Sequence, residues 1–436
     1  MRYVVLIIDG ASGWPAAALG GLTSLEAART PNLDRLAREG TVGLADNVPE
    51  GMEASSAVAC MSVMGFDPAV YYAGRGPIEA TAMGIELEPG QVAMRCNLVT
   101  VLDGRLVSYS AGNITSEESA RLIASLRERL GEVGGGGPGR DRLNLYPGVG
   151  FRHILTVREG ADLLATSFTP PHDITGRPVA GSEPVGPGAG LANDLMEWSK
   201  GVLAGHPVNE DRVARGLLPA TQIWLFWPGM KPAGMPSFAE SYGGRRAALT
   251  SSVDLLRGLA LQTGVDCLVI PGVTDGGDND YEAQMAGALE ALDDHDVVFV
   301  HVEAPDEASH AGDIAGKLRA LERIDALMIP QAIAMGERPG GASAGPGRDR
   351  SPAPVEAPGG APDDGSEGLR LLVMSDHPTP VELKTHVAEP VPFVMWGPGF
   401  AANGAEAFSE SEARATGFAV APGHLLMSLF LGLRSR

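Results

Sequence analysis

Cysteine is scarce in this chain: Cys60, Cys96 and Cys267 are all that 436 residues contain. Their wide spacing suits neither a zinc site nor a disulfide framework, and it points to a reducing compartment, the cytoplasm. Basic residues are also in deficit. Against 54 Asp and Glu stand 33 Lys and Arg, a formal net charge of −21. A field of that sign disfavours nucleic acid and anionic membrane as partners, and obliges any anionic substrate to find locally placed Arg, Lys, His or metal. No apolar run approaches the ~18 residues of a membrane span. The run Tyr3–Ile8 is too short for a signal peptide and stops at Asp9, with neither a basic n-region nor a cleavage pattern. A Gly-x-x-x-x-Gly-Lys-Ser/Thr loop is missing, which argues against a P-loop kinase.

What the chain does have is 44% hydrophobic residues, enough for a large core, and a length that suggests two domains. Strand-like runs at Tyr3–Ile8, Gln222–Trp227, Asp266–Ile270, Val297–Val302, Arg370–Met374 and Val391–Trp396 alternate with helical patterns at 191–204, 252–262, 281–292 and 317–335. That alternation predicts a doubly wound, mostly parallel sheet covered on both faces. Between about 88 and 180 the texture changes to strands at 92–101 and 152–157 around a helix at 116–129, capped by Thr115 or Ser116. This stretch reads as a smaller α+β domain inserted into a core of 1–87 and 181–436. Gly134–Gly139 reads as a flexible loop, and 337–368, rich in Gly, Pro, Ala, Ser and Asp, as a disordered one.

Three of the strand-like runs lead into acidic residues: Asp9, Asp306 and Asp376, the last followed by His377. Sites in doubly wound sheets collect at carboxyl ends of strands, so these carboxylates are expected to converge. Asp306-x-x-x-His310 brings a carboxylate and an imidazole to one face if the segment is helical. With His386 nine residues beyond His377, a mixed Asp/His set results, suited to Mn²⁺ or Zn²⁺. Each pair alone has a plainer reading, a helix cap or a surface ion pair; their number shifts the balance. Ser55 and Ser56 open a helical pattern, where a hydroxyl sits in the field of free N–H groups, a natural place for a phosphoryl group.

Asp9-Gly10, the Ser56 loop ahead of 61–68, Gly74-Arg75-Gly76-Pro77, Pro171-His172-Asp173-Ile174-Thr175-Gly176, Ala304-Pro305-Asp306 with His310, Ser375-Asp376-His377-Pro378-Thr379-Pro380 and Thr385-His386 follow one another along nearly the whole chain. Together they resemble the archaeal-type 2,3-bisphosphoglycerate-independent phosphoglycerate mutases of the alkaline phosphatase superfamily. The resemblance implies an alkaline-phosphatase-like core with an inserted substrate-binding lid domain, and an isomerase acting on 3-phosphoglycerate without 2,3-bisphosphoglycerate. It implies two divalent ions, Mn²⁺ first, with Zn²⁺, Co²⁺ or Mg²⁺ as alternatives. Asp9, Ser56, Asp376 and His377 would hold one, and Asp306, His310 and His386 the other, with Ser56 as the nucleophile. Arg95, Arg152 and His172 from the insert, with Arg75 and Arg212 from the core, are candidates for gripping carboxylate and phosphate.

The chain also departs from the pattern. Where members read Gly-Ser-Asp around the nucleophile, with Asn or His three residues past the Asp, this chain has Ser55, Ser56, Ala57 and Cys60. A Gly-x-Gly after the strand at 222–227 reads Trp227-Pro228-Gly229. Two other readings therefore stand beside the mutase: a related phosphotransferase or phosphohydrolase with another substrate, homoserine-kinase-like for example, and a non-catalytic metal-binding descendant. Metal identity and oligomeric state stay open at this level.

Overall fold

The computed structural model describes residues 1–133, 142–337 and 368–433. The expected loop at 134–139 and all but the ends of the one at 337–368 lie outside these. The chain divides into two compact units: Met1–Tyr72 with Met235–Arg436, and Ala73–Gly234.

The first unit is built on an eight-stranded sheet in the order Ala419–Val420, Thr41–Ala45, Val391–Trp396, Leu369–Met374, Arg2–Ile8, Val297–Val302, Ala247–Thr250, Asp266–Cys267. Val391–Trp396 runs antiparallel to both neighbours; the other pairings are parallel. The three central strands are apolar almost throughout because both of their faces are buried, as parallel sheets require. Val4, Leu6 and Ile8 pack with Leu33 and Leu36 of helix Pro31–Glu39, Ile324 of helix Ile314–Leu327 and Ile333 of helix Ile329–Gly336. The expected single helix at 317–335 is thus two, the second opening with Pro330, which suits a first turn and not a helix interior. Tyr3, pointing the other way, meets Phe430 edge-on at 5.6 Å. Register decides function here. Ile8 pairs with Val302 and Ile7 with Met374, so the three strands end level and release their next residues at one edge.

The second unit carries a five-stranded antiparallel sheet whose long strand Val92–Leu102 is flanked by Arg152–Val157 and Gln222–Met230. Helix Ser116–Arg129 starts in a capping box of Thr115 and Glu118, and helices Ala189–Leu203 and Pro207–Ala214 belong to the same unit. The inserted unit is therefore wider than 88–180. The strand at 222–230, read as part of the parallel sheet, pairs instead with Val92–Leu102. A short apolar run does not encode its partner, and only Pro228, which cannot donate to a ladder, hinted at an edge position.

Candidate active site

At the level ends of the central strands the chain turns into Asp9, Glu303 with helix Ala304–Ala311, and Asp376-His377. The helix puts Asp306 and His310 one turn apart, and His310 Nε2 lies 3.0 Å from Asp306 Oδ2. His386 Nε2 comes to 2.9 Å from His310 Nε2 and 3.6 Å from Asp306 Oδ1. His377 Nε2 stands 3.1 Å from Asp376 Oδ2 and 3.6 Å from Asp9 Oδ1. Ser56 is the first residue of helix Ser56–Val63, and its Oγ lies 3.1 Å from the same His377 Nε2. Ser55 is only the residue before the helix, with no such contact. The seven residues Asp9, Ser56, Asp306, His310, Asp376, His377 and His386 are thus gathered in one unit.

The hydrogen bonds around the imidazoles fix where their protons sit. Thr379 Oγ1 donates its one proton to Asp306 Oδ1 at 2.6 Å, so it accepts from His377 Nδ1–H at 3.2 Å. His310 Nδ1 and His386 Nδ1 donate to the carbonyls of Lys384 and Ala54, at 3.0 and 3.1 Å. In the neutral rings all three Nε2 lone pairs then point inward, at carboxylate oxygens or at each other. Asp9 Oδ1 is buried there without a hydrogen-bond partner. Such an arrangement repels itself unless a cation or protons occupy it. Burial, followed by the charges of Asp376 and Asp306, holds the Asp9 carboxyl well above its usual range. Burial also pushes Asp306 up, but hydrogen bonds from His310 and His386 outweigh it and hold that carboxyl well below. The hydrogen bond to Asp306 lifts His310 from 6.5 to about 9, while burial lowers His377. The donor set is that of a hard-to-borderline divalent cation.

Two residues here escaped the sequence reading. His301, inside the strand Val297–Val302, has Nε2 2.8 Å from Asp9 Oδ2. Ser251 Oγ, which accepts from Val253 N–H, leaves its proton for His301 Nδ1 at 3.0 Å, so the ring presents Nε2–H to Asp9. His301 thus holds Asp9 in place, opposite in tautomer to the inward-facing imidazoles. Glu303 Oε2 lies 3.5 Å from the same ring atom, its carboxyl raised by burial and by Asp9. The signal was slight: His301 interrupts an otherwise apolar strand, and Glu303 lies just past its end. Cys60, at the position where the family pattern has Asn or His, donates to Asp376 Oδ2 at 3.6 Å, so that carboxylate keeps a weak partner there.

In the second unit Arg75, Arg95, Arg152 and His172 form a cluster. Glu79 bridges Arg75 Nε, at 2.7 Å, and the buried Arg95. Burial pushes the Arg95 guanidinium down, Glu79 opposes that, and Arg75 and Arg152 add repulsion. Burial also lowers His172. The cluster is net positive. Arg212, which belongs to this unit and not to the first, does not join it. Its side chain is buried, ion-paired to Glu118 at 2.5 Å and bonded to the carbonyls of Leu218, Ala111 and Gly112. A guanidinium so engaged organises the helix Pro207–Ala214 and offers no free edge to an anion.

A model of the 2,3-bisphosphoglycerate-independent phosphoglycerate mutases matches residues 37–209, and one of the metalloenzyme superfamily matches 365–432. A 2,3-bisphosphoglycerate-independent phosphoglycerate mutase of Methanothrix thermoacetophila is 42% identical over 99% of this chain and 100% of its own. The chain belongs to this family. A probable member from Geobacter sulfurreducens is 40% identical over 99% of this chain and 100% of its own. Among solved structures, a protein of Pyrococcus horikoshii aligns over 100% of this chain and 98% of its own, with a TM-score of 0.75 and 25% identity. A cofactor-independent phosphoglycerate mutase from Thermoplasma acidophilum shares the fold, with a TM-score of 0.62 and 24% identity over 98% and 99%. The family is one of isomerases, intramolecular phosphotransferases, and the metalloenzyme match covers Asp376, His377 and His386. Among the described residues no helix is long and apolar enough to cross a membrane.

Proposed function

We propose that this chain interconverts 3-phosphoglycerate and 2-phosphoglycerate through a phosphoserine on Ser56, in the cytoplasm and without 2,3-bisphosphoglycerate. One observation carries the reading. A hydroxyl at the first position of a helix lies 3.1 Å from an unprotonated imidazole nitrogen, amid lone pairs that all face inward. Two divalent ions fit that donor set, Mn²⁺ first and Zn²⁺, Co²⁺ or Mg²⁺ as alternatives. Asp9, Ser56, Asp376 and His377 would hold one, Asp306, His310 and His386 the other. Bound there, such ions lower the pKa of the Ser56 hydroxyl and neutralise charge on the phosphoryl group. The chain supplies the rest. Ser56 Oγ attacks phosphorus, the bond from phosphorus to the 3-oxygen breaks, and the freed oxygen takes a proton. Free N–H groups at the start of helix Ser56–Val63 hold the phosphoryl oxygens. The 2-hydroxyl of the retained glycerate then loses a proton and attacks the same phosphorus, releasing Ser56. Arg75, Arg95 and Arg152 supply the cationic contacts for carboxylate and phosphate, and His172, lowered by burial, a neutral hydrogen bond.

A second reading draws on Ala57 and Cys60: with a weaker support behind Asp376, water competes with the 2-hydroxyl and the enzyme hydrolyses. A phosphorus NMR time course on 3-phosphoglycerate with Mn²⁺-loaded protein separates the two. We expect 2-phosphoglycerate to form without added 2,3-bisphosphoglycerate, and Ser56→Ala to abolish it, a loss of at least about 1,000-fold. Inorganic phosphate alone would replace the mutase by the hydrolase. Undiminished isomerisation in Ser56→Ala would move the nucleophile elsewhere, to Ser55 first.

A further inference from the structure

One residue of the second unit breaks a local rule. Trp227 has φ +50°, in the left-handed region that bulky side chains avoid. It sits where the strand Gln222–Met230 carries a bulge: Phe226 faces Arg95 and Gly229 faces Ala93, so Trp227 and Pro228 together stand against Met94. The segment Ala73–Gly76 is pressed onto this bulge with no room for side chains. A Cβ on Gly74 would meet Pro228 O at 2.4 Å, and one on Gly229 would meet Ala73 O at 2.2 Å. Met230 N–H donates to Ala73 O at 3.1 Å and closes the joint. Two backbones are locked together where Arg75 starts its helix.

The consequence is a stacked cation. The Arg75 guanidinium carbon lies 4.3 Å from the Trp227 ring centroid, and its Nε is bound to Glu79. One edge of the fork is thereby anchored and one face covered. Neither terminal nitrogen of Arg75 has a hydrogen-bond partner among the described residues. The ring of His172 packs 5.4 Å from Trp227 on a half-exposed surface, and the buried Arg95 Nε is without a partner close by. A strained aromatic beneath an anchored but half-free guanidinium suits bidentate capture of an oxyanion.

We infer that Trp227 is a positioning residue: its left-handed backbone lays the indole under Arg75 so that the two terminal N–H groups face outward for a carboxylate or phosphate. This rests on the mutase reading, with the anion supplied by phosphoglycerate. Trp227→Gly is the informative change, because glycine adopts the same backbone and keeps the bulge while removing the ring. We expect KM for 3-phosphoglycerate to rise about tenfold, kcat to stay within about twofold, and the melting temperature to fall by no more than about 4 °C, because relief of the left-handed backbone offsets part of the packing lost from Phe226 and His172. Trp227→Phe, which restores a π face, should recover most of the KM. An unchanged KM in the glycine variant of an active enzyme overturns the inference alone, as does a loss in kcat and melting temperature that phenylalanine does not rescue. Titration of wild-type protein with 3-phosphoglycerate, followed by the indole N–H resonance that Trp227→Gly deletes, separates the two readings. If the wild type is inactive but that resonance shifts on titration, the mutase reading falls and the anion site stands. If it does not shift, the inference falls too.

Discussion

The two charged clusters of this molecule are built on opposite plans. In the first unit, carboxylates from Asp9, Asp306 and Asp376 are delivered by strands far apart in sequence, and imidazole lone pairs are aimed among them by outer hydrogen bonds. Protons held by Asp9 and His310 and the nearby Lys317 ammonium offset only part of the result. In the second unit, Glu79 lies between Arg75 and Arg95 and balances one of the two charges, so a net positive charge remains. A site that repels itself is a demand for a resident ion. A cluster whose buried arginine already has a carboxylate partner makes no such demand, and its remaining positive charge can attract an anion reversibly.

Removing the ion should produce the largest effect. Chelation of the Mn²⁺-loaded protein should abolish isomerisation and cost about 4 kcal/mol of stability relative to ion at ~1,000-fold above its Kd. Mn²⁺ should restore both. Full turnover by protein shown metal-free by elemental analysis would erase the contrast between the units. The second unit should answer to its ion pair instead. Arg95→Met leaves Glu79 buried with only the partly exposed Arg75, and should destabilise by about 3 kcal/mol in denaturant unfolding. Adding Glu79→Gln should recover most of that loss. If the double variant is as unstable as the single, Arg95 acts through packing and the cluster is not balanced as described.

A smaller effect should follow from the support behind Asp9. His301→Leu removes the N–H that Asp9 Oδ2 accepts at 2.8 Å. Loss of such an outer hydrogen bond typically weakens metal affinity about 10- to 100-fold, read by calorimetric titration of the metal-free variant. Unaltered affinity would make His301 a core residue and no more.

How much of this could be read from the chain depends on the distance over which each feature is encoded. Asp9 and Asp376 were legible because an apolar strand and the acid that ends it are contiguous, and His310 because a helix repeats every turn. The parallel sheet was legible from alternation. Its membership was not: the strand at 222–230 shows the same apolar texture whichever sheet it joins, and its partner Val92–Leu102 is more than a hundred residues away. His301 was hidden because a strand buried on both faces erases the period-two signal that would have marked an inward polar residue. Arg212 looked like any arginine of an anion site, and only its carbonyl partners reveal a structural role.

Protons offer the finest test of the comparison, since they are what the first unit takes up when the ion is gone. In the metal-free protein the hydrogen bond to Asp306 raises His310 to about 9 from 6.5. A group raised on folding contributes stability that is complete below its ordinary value and is lost as pH rises through the folded one. Metal-free protein should therefore lose stability between about pH 6.5 and 9. Ion binding has the opposite sign. Ligation requires the Nε2 lone pair, so below about pH 9 the ion must expel the proton that His310 carries. Mn²⁺ affinity should rise across that window, with proton release visible as a dependence of binding enthalpy on the buffer. The Mn²⁺-loaded protein should lack the stability loss, because the ion has replaced the proton. The second unit provides the control: Glu79 is held below its usual range, burial notwithstanding, by Arg95 and Arg75, and stays ionised throughout. A metal-free protein whose melting temperature is flat from pH 6.5 to 9, with pH-independent Mn²⁺ uptake, would show that the His310–Asp306 contact holds no proton.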